Sequence, residues 1–294
     1  QSFVPKEFLT MIQRFTKKPV SMLTQLAWIF SRSVTHLKRY PNEFLLFLIT
    51  EIVVGLLVGC AFYLGGRRPF DSYGNLAAIF MSVNGSYAIV FFSVAAYRLS
   101  IYAAERPLFL KEYFTGTYRT EPYLGSHFIL ELAAILIAEL PKCLIVYFMF
   151  GLSFGFGYYY LLTILMAENA AAIAALFGSI FTKEGAAMGS LNIAIIPQIL
   201  FGGLFVPVSY LPIWCRWLSY LMFSRYASSL SSFYLFGDCA RSDPSEQNPC
   251  VQYLRAYQIS DDNKGLYWLG FLGLFIVTKV TATVIFAKKA RHYE

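Results

Sequence analysis

Charge is scarce in this sequence: Asp, Glu, Lys and Arg make up 14% of its 294 residues, where a soluble domain carries about a quarter. Hydrophobic residues reach 57%, which excludes an ordinary water-soluble fold and points to lipid as the solvent. Signatures of catalysis are missing as well. No Gly-x-x-x-x-Gly-Lys-Ser/Thr loop occurs, so the chain by itself has no cradle for nucleotide phosphates. His36, His127 and His292 are scattered, and no Cys/His pair has the spacing of a metal site. A Gly-x-Ser-x-Gly elbow is also absent. These absences predict no catalytic residue, no metal and no cofactor in this chain. There is no cleavable signal peptide, and the opening from Gln1 reads as a fragment boundary with a soluble part upstream.

What is present is apolar sequence in long runs, and a net charge of +7 placed at the ends. Lys6, Arg14, Lys17, Lys18, Arg32, Lys38 and Arg39 precede the first run, and Lys288, Lys289 and Arg291 follow the last. Basic residues beside membrane spans mark the cytoplasmic side. No basic–aromatic surface suited to single-stranded nucleic acid is visible, so nucleic acid is not expected as a partner.

A span needs roughly 20 apolar residues to cross a hydrocarbon core about 30 Å thick. The runs predict six: 44–64, 76–97, 128–150, 159–181, 186–206 and 266–287. Six spans put both termini in the cytoplasm, and the plasma membrane is the expected location. Residues 1–20 read as a linker. Over Ser21–Arg39, Leu23, Leu26, Ala27, Phe30, Val34 and Leu37 recur at helical spacing between basic residues. This predicts an amphipathic helix, lying on the membrane face or packed on a soluble domain. Residues 98–121 interrupt the apolar pattern with Arg98, Glu105, Arg106, Lys111, Glu112, Arg119 and Glu121. Residues 207–265 form one large extracellular segment. Its first half, with Arg216 and Arg225 among Trp214, Trp217, Tyr220 and Tyr226, reads as re-entrant or interfacial rather than as a lipid-facing span.

Cys60 and Cys143 fall inside spans, as small packing residues. Cys239 and Cys250 lie in the extracellular segment, where thiols oxidise. A bond between them would close a loop of about a dozen residues, worth roughly 3 kcal/mol; free or intermolecular thiols are the alternatives. The sequon Asn84-Gly85-Ser86 lies mid-span and is out of reach of glycosylation. Polar residues inside spans are functional candidates, here Glu51, Glu131, Glu139, Lys142, Glu168 and Lys279. The plainer reading is that they pair with one another or reach toward the interface. Glu168, in the middle of the fourth span, has no partner evident from sequence.

Several short motifs occur in one order. Glu105-Arg106-Pro107-Leu108-Phe109-Leu110-Lys111-Glu112, then Gly116-x-Tyr118-Arg119 and Tyr123, resembles the cytoplasmic coupling helix of G-subfamily ABC half-transporters, the white/multidrug/sterol group. Trp28–Arg39 resembles the connecting helix of that family. Gly202-Gly203-Leu204-Phe205-Val206 is similar to its Gly-Leu-Leu-Val stretch at the end of the fifth span, with Phe205 in place of the second leucine. Trp217-Leu218-Ser219-Tyr220 and Ser224-Arg225-Tyr226 resemble elements of the re-entrant region, and Asn248-Pro249-Cys250 a loop cysteine motif. The resemblance covers nearly the whole chain, while Glu168 is not part of the family pattern.

The resemblance implies an all-α integral membrane domain of six spans, with connecting helix, coupling helix and re-entrant extracellular region. It implies a dimer, homo- or heteromeric, that exports hydrophobic or amphipathic molecules. ATP and Mg would be bound by a separate nucleotide-binding domain. Asn84 and Tyr87 would face the substrate in a cavity between the second and fifth spans. Leu204 and Phe205 would form a gate, and Glu105, Phe109, Glu112 and Arg119 would carry the link to the ATPase. Two rival readings are a non-transporting membrane scaffold and a polysaccharide-exporting ABC permease; the long cysteine-bearing final loop argues against the second.

Overall fold

A computed structural model describes residues 21–67, 69–70, 72–114, 120–181, 184–203, 206–259 and 263–292. The expected linker, 1–20, lies outside the described residues. Every element among them is helical, as lipid requires: with no water to satisfy backbone groups, a span must bond within itself.

Helix α1, Met22–Arg39, is the amphipathic segment, and it buries Ile29 against α4, Thr120–Phe150. Helix α2, Asn42–Ala61, pairs with α4 and turns back through a short 3-10 turn at Gly65–Arg67. Helix α3, Tyr73–Phe114, packs along α5, Phe156–Ile180, which is the central column of the bundle. Leu76, Ile79, Phe80, Val83 and Val94 of α3 are fully buried there, as are Leu162, Ala167, Ala170 and Ala174 of α5. The alanines let neighbouring backbones come close, the usual device where lipid removes the hydrophobic drive between helices. Helix α6, Glu184–Phe201, lies against α3. The short helix α7, Ile213–Arg216, leads to α8, Phe223–Ser242; α9, Pro249–Ala256, and α10, Lys264–His292, complete the chain.

Four segments are long and apolar enough to cross a membrane: Asn42–Arg67, Tyr73–Tyr102, Phe156–Ile180 and Lys264–Phe286. They coincide with the first, second, fourth and sixth expected spans. The third, α4, is 31 residues long but carries Glu131, Glu139 and Lys142, and the fifth, α6, has only 18 residues.

Three boundaries differ from expectation. The helix of the second span continues past Tyr97: the apolar segment is Tyr73–Tyr102, and α3 runs unbroken for 42 residues to Phe114. Charged side chains change the preferred solvent of a helix without ending it, so residues 98–114 of the segment compared with a coupling helix prolong α3. The helix of the fifth expected span is described to Phe201, short of residue 206, and Gly203 beyond it takes a left-handed φ of 86°. The segment 207–265 is not simply a loop. Its helix α8, 20 residues long, buries Arg225 and Ser228, Ser229, Ser231 and Ser232 among α3, α5, α6 and α10. A helix surrounded by protein need not be apolar, and hydropathy alone could not find it.

Candidate functional site

Asn84, Tyr87, Ala88 and Phe91 recur on α3 at helical spacing and share one face. That face meets Met166 of α5, Ile195, Gln198 and Ile199 of α6, and Ser224 and Ser228 of α8 around a small cavity of about 20 Å³. This is room for about one water. Asn84 donates from Nδ2 to the Phe80 carbonyl at 3.0 Å. Its Oδ1, and the hydroxyl of Tyr87, are buried without a hydrogen-bond partner among the described residues. The Tyr87 ring leans on Tyr159 at 5.8 Å, whose hydroxyl lies 3.0 Å from Ser86 Oγ. Orphaned polar atoms cost about 1–3 kcal/mol each, so the cleft holds two polar groups awaiting a partner in an otherwise apolar wall.

The sequence reading named Asn84 and Tyr87, which the fold brings to this cleft, and did not name Gln198, which also lines it. Its side-chain oxygen accepts from the Ser224 amide and hydroxyl, both at 3.1 Å, and its carbonyl accepts from Ser224 Oγ at 2.6 Å. This pins α6 to α8 at the edge of the cleft. The available signal was a side-chain amide beside Pro197 in an apolar run that also carries Asn192. Leu204 and Phe205 lie outside the described residues; Gly202 and Gly203 lead toward them.

The charges inside the bundle pair across helices. Lys142 of α4 donates to Glu51 Oε2 of α2 and lies 2.5 Å from Glu139 Oε2 one turn earlier. All three are nearly inaccessible, at 5%, 0% and 0%. Lys279 of α10 pairs with Glu131 of α4, which also accepts from Tyr102 Oη at 3.1 Å. Arg98 donates to the Glu131 carbonyl at 2.8 Å. Glu168 is 3% exposed, and neither carboxylate oxygen has a hydrogen-bond partner among the described residues.

At the far end of α3 Phe109 turns inward while Glu105 and Glu112 meet side chains of neighbouring helices. Phe109 is 1% exposed, packed between the tilted rings of Tyr123 at 4.5 Å and Phe286 at 4.7 Å. Glu112 meets Arg32 of α1 at 2.6 Å. Glu105 Oε2 lies 3.2 Å from Nδ1 of His127. Burial pushes the Glu105 carboxyl up to about 7, against the pull of Arg98 and Arg32. Burial also holds the His127 imidazole down to about 4 despite Glu131 nearby. Near neutral pH the imidazole is therefore uncharged, and the contact is not a full ion pair. Arg119 lies outside the described residues.

Cys239 and Cys250 are joined in a disulfide with Cα atoms 6.1 Å apart, tying the end of α8 to α9. Asn248 assists: its Oδ1 caps α9 by accepting from the Cys250 amide at 2.9 Å, and its Nδ2 donates to the carbonyls of Cys239 and Asp243 at 3.1 and 2.6 Å.

Comparison with known proteins agrees with this architecture. Residues 24–236 match the family described as ABC-2 type transporter. The chain is 30% identical over 216 residues to ABC transporter ATP-binding protein/permease wht-1 of Caenorhabditis elegans, covering 70% of this chain and 31% of that protein. It is 25% identical over 282 residues to the broad substrate specificity ATP-binding cassette transporter ABCG2 of Sus scrofa, covering 91% and 42%. Against Protein white of Drosophila melanogaster it is 26% identical over 259 residues, covering 84% and 37%. The chain thus spans well under half the length of these relatives.

Proposed function

Because this chain belongs to the ABC-2 type transporter family, as a G-subfamily membrane domain, we propose that it is the translocating part of an ATP-driven exporter of hydrophobic or amphipathic molecules. Lipids, sterols and xenobiotics are the candidate substrate classes. ATP and Mg belong on a nucleotide-binding domain outside this chain, and this chain is not itself an enzyme. The working unit is a dimer with a second half-transporter, identical or related. Helices α4 and α6 complete a six-span set with both termini in the cytoplasm of a plasma-membrane protein. Residues 207–221 re-enter the outer leaflet, and Leu204 and Phe205 of the two copies seal the exit. The far end of α3, with Glu105, Phe109 and Glu112, transmits ATPase movement together with Arg119, which follows it in sequence.

One observation carries this reading: Asn84 Oδ1 and the Tyr87 hydroxyl are buried and unpaired on one wall of an apolar cleft. Binding pockets for amphipathic molecules are built of apolar walls with a few placed polar groups. The α3–α6 seam widens when a second copy adds its own seam, and the orphan atoms then meet ligand rather than protein.

The test uses the full-length protein, including its ATPase domain, reconstituted in liposomes with a panel of lipids and drugs. At least one compound should stimulate ATP hydrolysis. Asn84→Ala and Tyr87→Phe should each raise its half-maximal concentration about five- to tenfold, the worth of one hydrogen bond, with basal hydrolysis unchanged. Stimulation that is indifferent to both substitutions would move the substrate site elsewhere. No stimulation by any compound would favour a scaffold.

A further inference from the structure

A second pocket among the described residues is larger than the cleft at Asn84. A pocket of about 340 Å³ opens between α3, α4, α5 and α10, within the range of about 300–1,000 Å³ typical of small-molecule sites. Phe128, Phe275, Val280 and Phe286 supply apolar walls, and Tyr102 and Lys279 supply the polar floor. Ile276 and Val280, on the same stretch of α10, are 57% and 56% exposed. Since α10 is apolar enough to cross the membrane, those side chains face acyl chains, and the pocket opens sideways to lipid. It occupies the half of the span nearest the basic end of α10.

The floor defines what can enter. Lys279 gives one hydrogen bond to Glu131 Oε1, and an ammonium has three donors. Tyr102 already donates to Glu131 Oε2, so its oxygen is left to accept. The deep end therefore offers N–H donors from Lys279 and an acceptor on Tyr102, a pattern that suits a hydroxyl. It disfavours an acid. Lys279 and Arg98 are already matched by Glu131 and Glu168, which lie within electrostatic reach of both cations, and Glu121 lines the pocket as well. An added carboxylate would bring surplus negative charge into a low-dielectric site, which is costly.

We propose that this pocket is a second ligand site, separate from the cleft, for an uncharged membrane lipid that enters from the leaflet with a hydroxyl at its deep end. Phe286 lines the pocket and also stacks on Phe109 in the cluster with Tyr123. An occupant therefore touches the packing that holds the far end of α3. The inference does not depend on which molecules are exported, only on α10 spanning the membrane.

The experiment is photolabelling of the full-length protein in liposomes. The probes are a monoacylglycerol with a diazirine in its chain and a fatty acid of the same chain and diazirine. Peptide mapping should place the monoacylglycerol label on 124–128 and 275–286, with the acid labelling these peptides several-fold less. Ala175→Phe, which fills the pocket from α5, should abolish that label. Lys279→Met should weaken it roughly tenfold, the worth of a hydrogen bond to a charged donor. Labelling spread evenly over lipid-facing helices overturns the proposal. So does labelling that persists in Ala175→Phe, or that favours the acid. Because the readout is binding rather than transport, a negative result here leaves the export reading standing, and loss of export leaves this one standing.

Discussion

Arg32 and Glu112 lie eighty residues apart in sequence and meet at 2.6 Å, joining α1 to the far end of α3. With side chains 46% and 22% exposed, the pair sits at a surface, where ion pairs contribute about 0–1 kcal/mol. Its value is positional: it fixes the angle at which α3 leaves the bundle beside the amphipathic helix. Arg32→Ala or Glu112→Ala should leave the melting temperature of the purified full-length protein nearly unchanged. Each should lower transport per ATP hydrolysed, and the double variant should be no worse than either single. Additive losses would show that the two residues act separately.

The buried group of Glu51, Lys142 and Glu139 should behave in the opposite way. Lys142→Met strands two carboxylates in the bundle, and breaking a buried pair costs about 3–5 kcal/mol. Expression and thermal stability in detergent should collapse. Replacing all three at once, with Glu51→Leu, Lys142→Met and Glu139→Leu, should recover most of the loss, because apolar side chains need no partners. A triple variant as unstable as the single would mean that the charges do more than satisfy one another.

The outline of this bundle was legible in the sequence, and its interior much less so. Hydropathy located α2, α3, α5 and α10 because lipid-facing surfaces such as Leu46, Leu57 and Leu269 must be apolar. It could not by itself delimit α8, whose serines and Arg225 are hidden by other helices; Arg225 donates from Nη1 to Ser219 Oγ and lies over the face of Tyr220 at 4.2 Å. Glu51, Glu131, Lys142 and Lys279 could be suspected of pairing, but the choice of partner depends on which helices lie side by side. Asn84 and Tyr87 were singled out by the family resemblance alone, and the fold adds that they share one face of α3, while Gln198 gained meaning only once Ser224 stood opposite. The face of Phe109 reads as a docking knob in sequence. In the fold it is covered by Tyr123 and Phe286, contacts made by residues far along the chain.

Reduction of the Cys239–Cys250 bond should loosen the end of α8 without unfolding the bundle. The cysteines are eleven positions apart, and closing such a loop contributes roughly 3 kcal/mol in the chain-entropy view. Cys250→Ser should lower the melting temperature and expose the 239–250 stretch to protease. Asn248→Ala, which removes a cap and two further hydrogen bonds, should act in the same direction to a smaller extent. Peptide mapping without reductant should recover both cysteines in one linked fragment.

The Glu105 and His127 contact makes opposing demands as pH changes. A carboxyl whose folded value is raised to about 7 from 4.5 binds more protons folded than unfolded between those limits, so stability falls as pH rises through that window. An imidazole lowered to about 4 from 6.5 does the reverse, and stability rises with pH between 4 and 6.5. In the native protein the two slopes largely cancel. Removing the imidazole with His127→Asn should expose the carboxylate slope, so that the melting temperature declines from pH 4.5 to 7. Adding Glu105→Gln should flatten it. With 40% of its side chain exposed, Glu105 will produce a modest slope, and its sign is the discriminating result.

The two glycines that end α6 should differ sharply in what they tolerate. At Gly203 the backbone is left-handed, but a methyl group would find only ordinary contacts, 3.7 Å from Tyr257. Gly203→Ala therefore costs about 1–2 kcal/mol of backbone strain and no packing. At Gly202 a Cβ would lie 1.8 Å from Ser224 Oγ and 2.2 Å from the Gln198 carbonyl. The hydroxyl could be removed, yet the carbonyl belongs to the backbone and cannot turn aside. Gly202→Ala must push α6 away from α8 and break the Gln198–Ser224 hydrogen bonds that close the edge of the cleft. We expect Gly202→Ala to lose most folded protein, measured by size-exclusion chromatography in detergent, while Gly203→Ala retains most of it. Ser224→Gly should rescue Gly202→Ala only in part, because the clash with the Gln198 carbonyl stays. Full rescue would locate the constraint in the hydroxyl alone. Equal damage at both glycines would show that backbone conformation, not the approach of α8, governs this end of the helix.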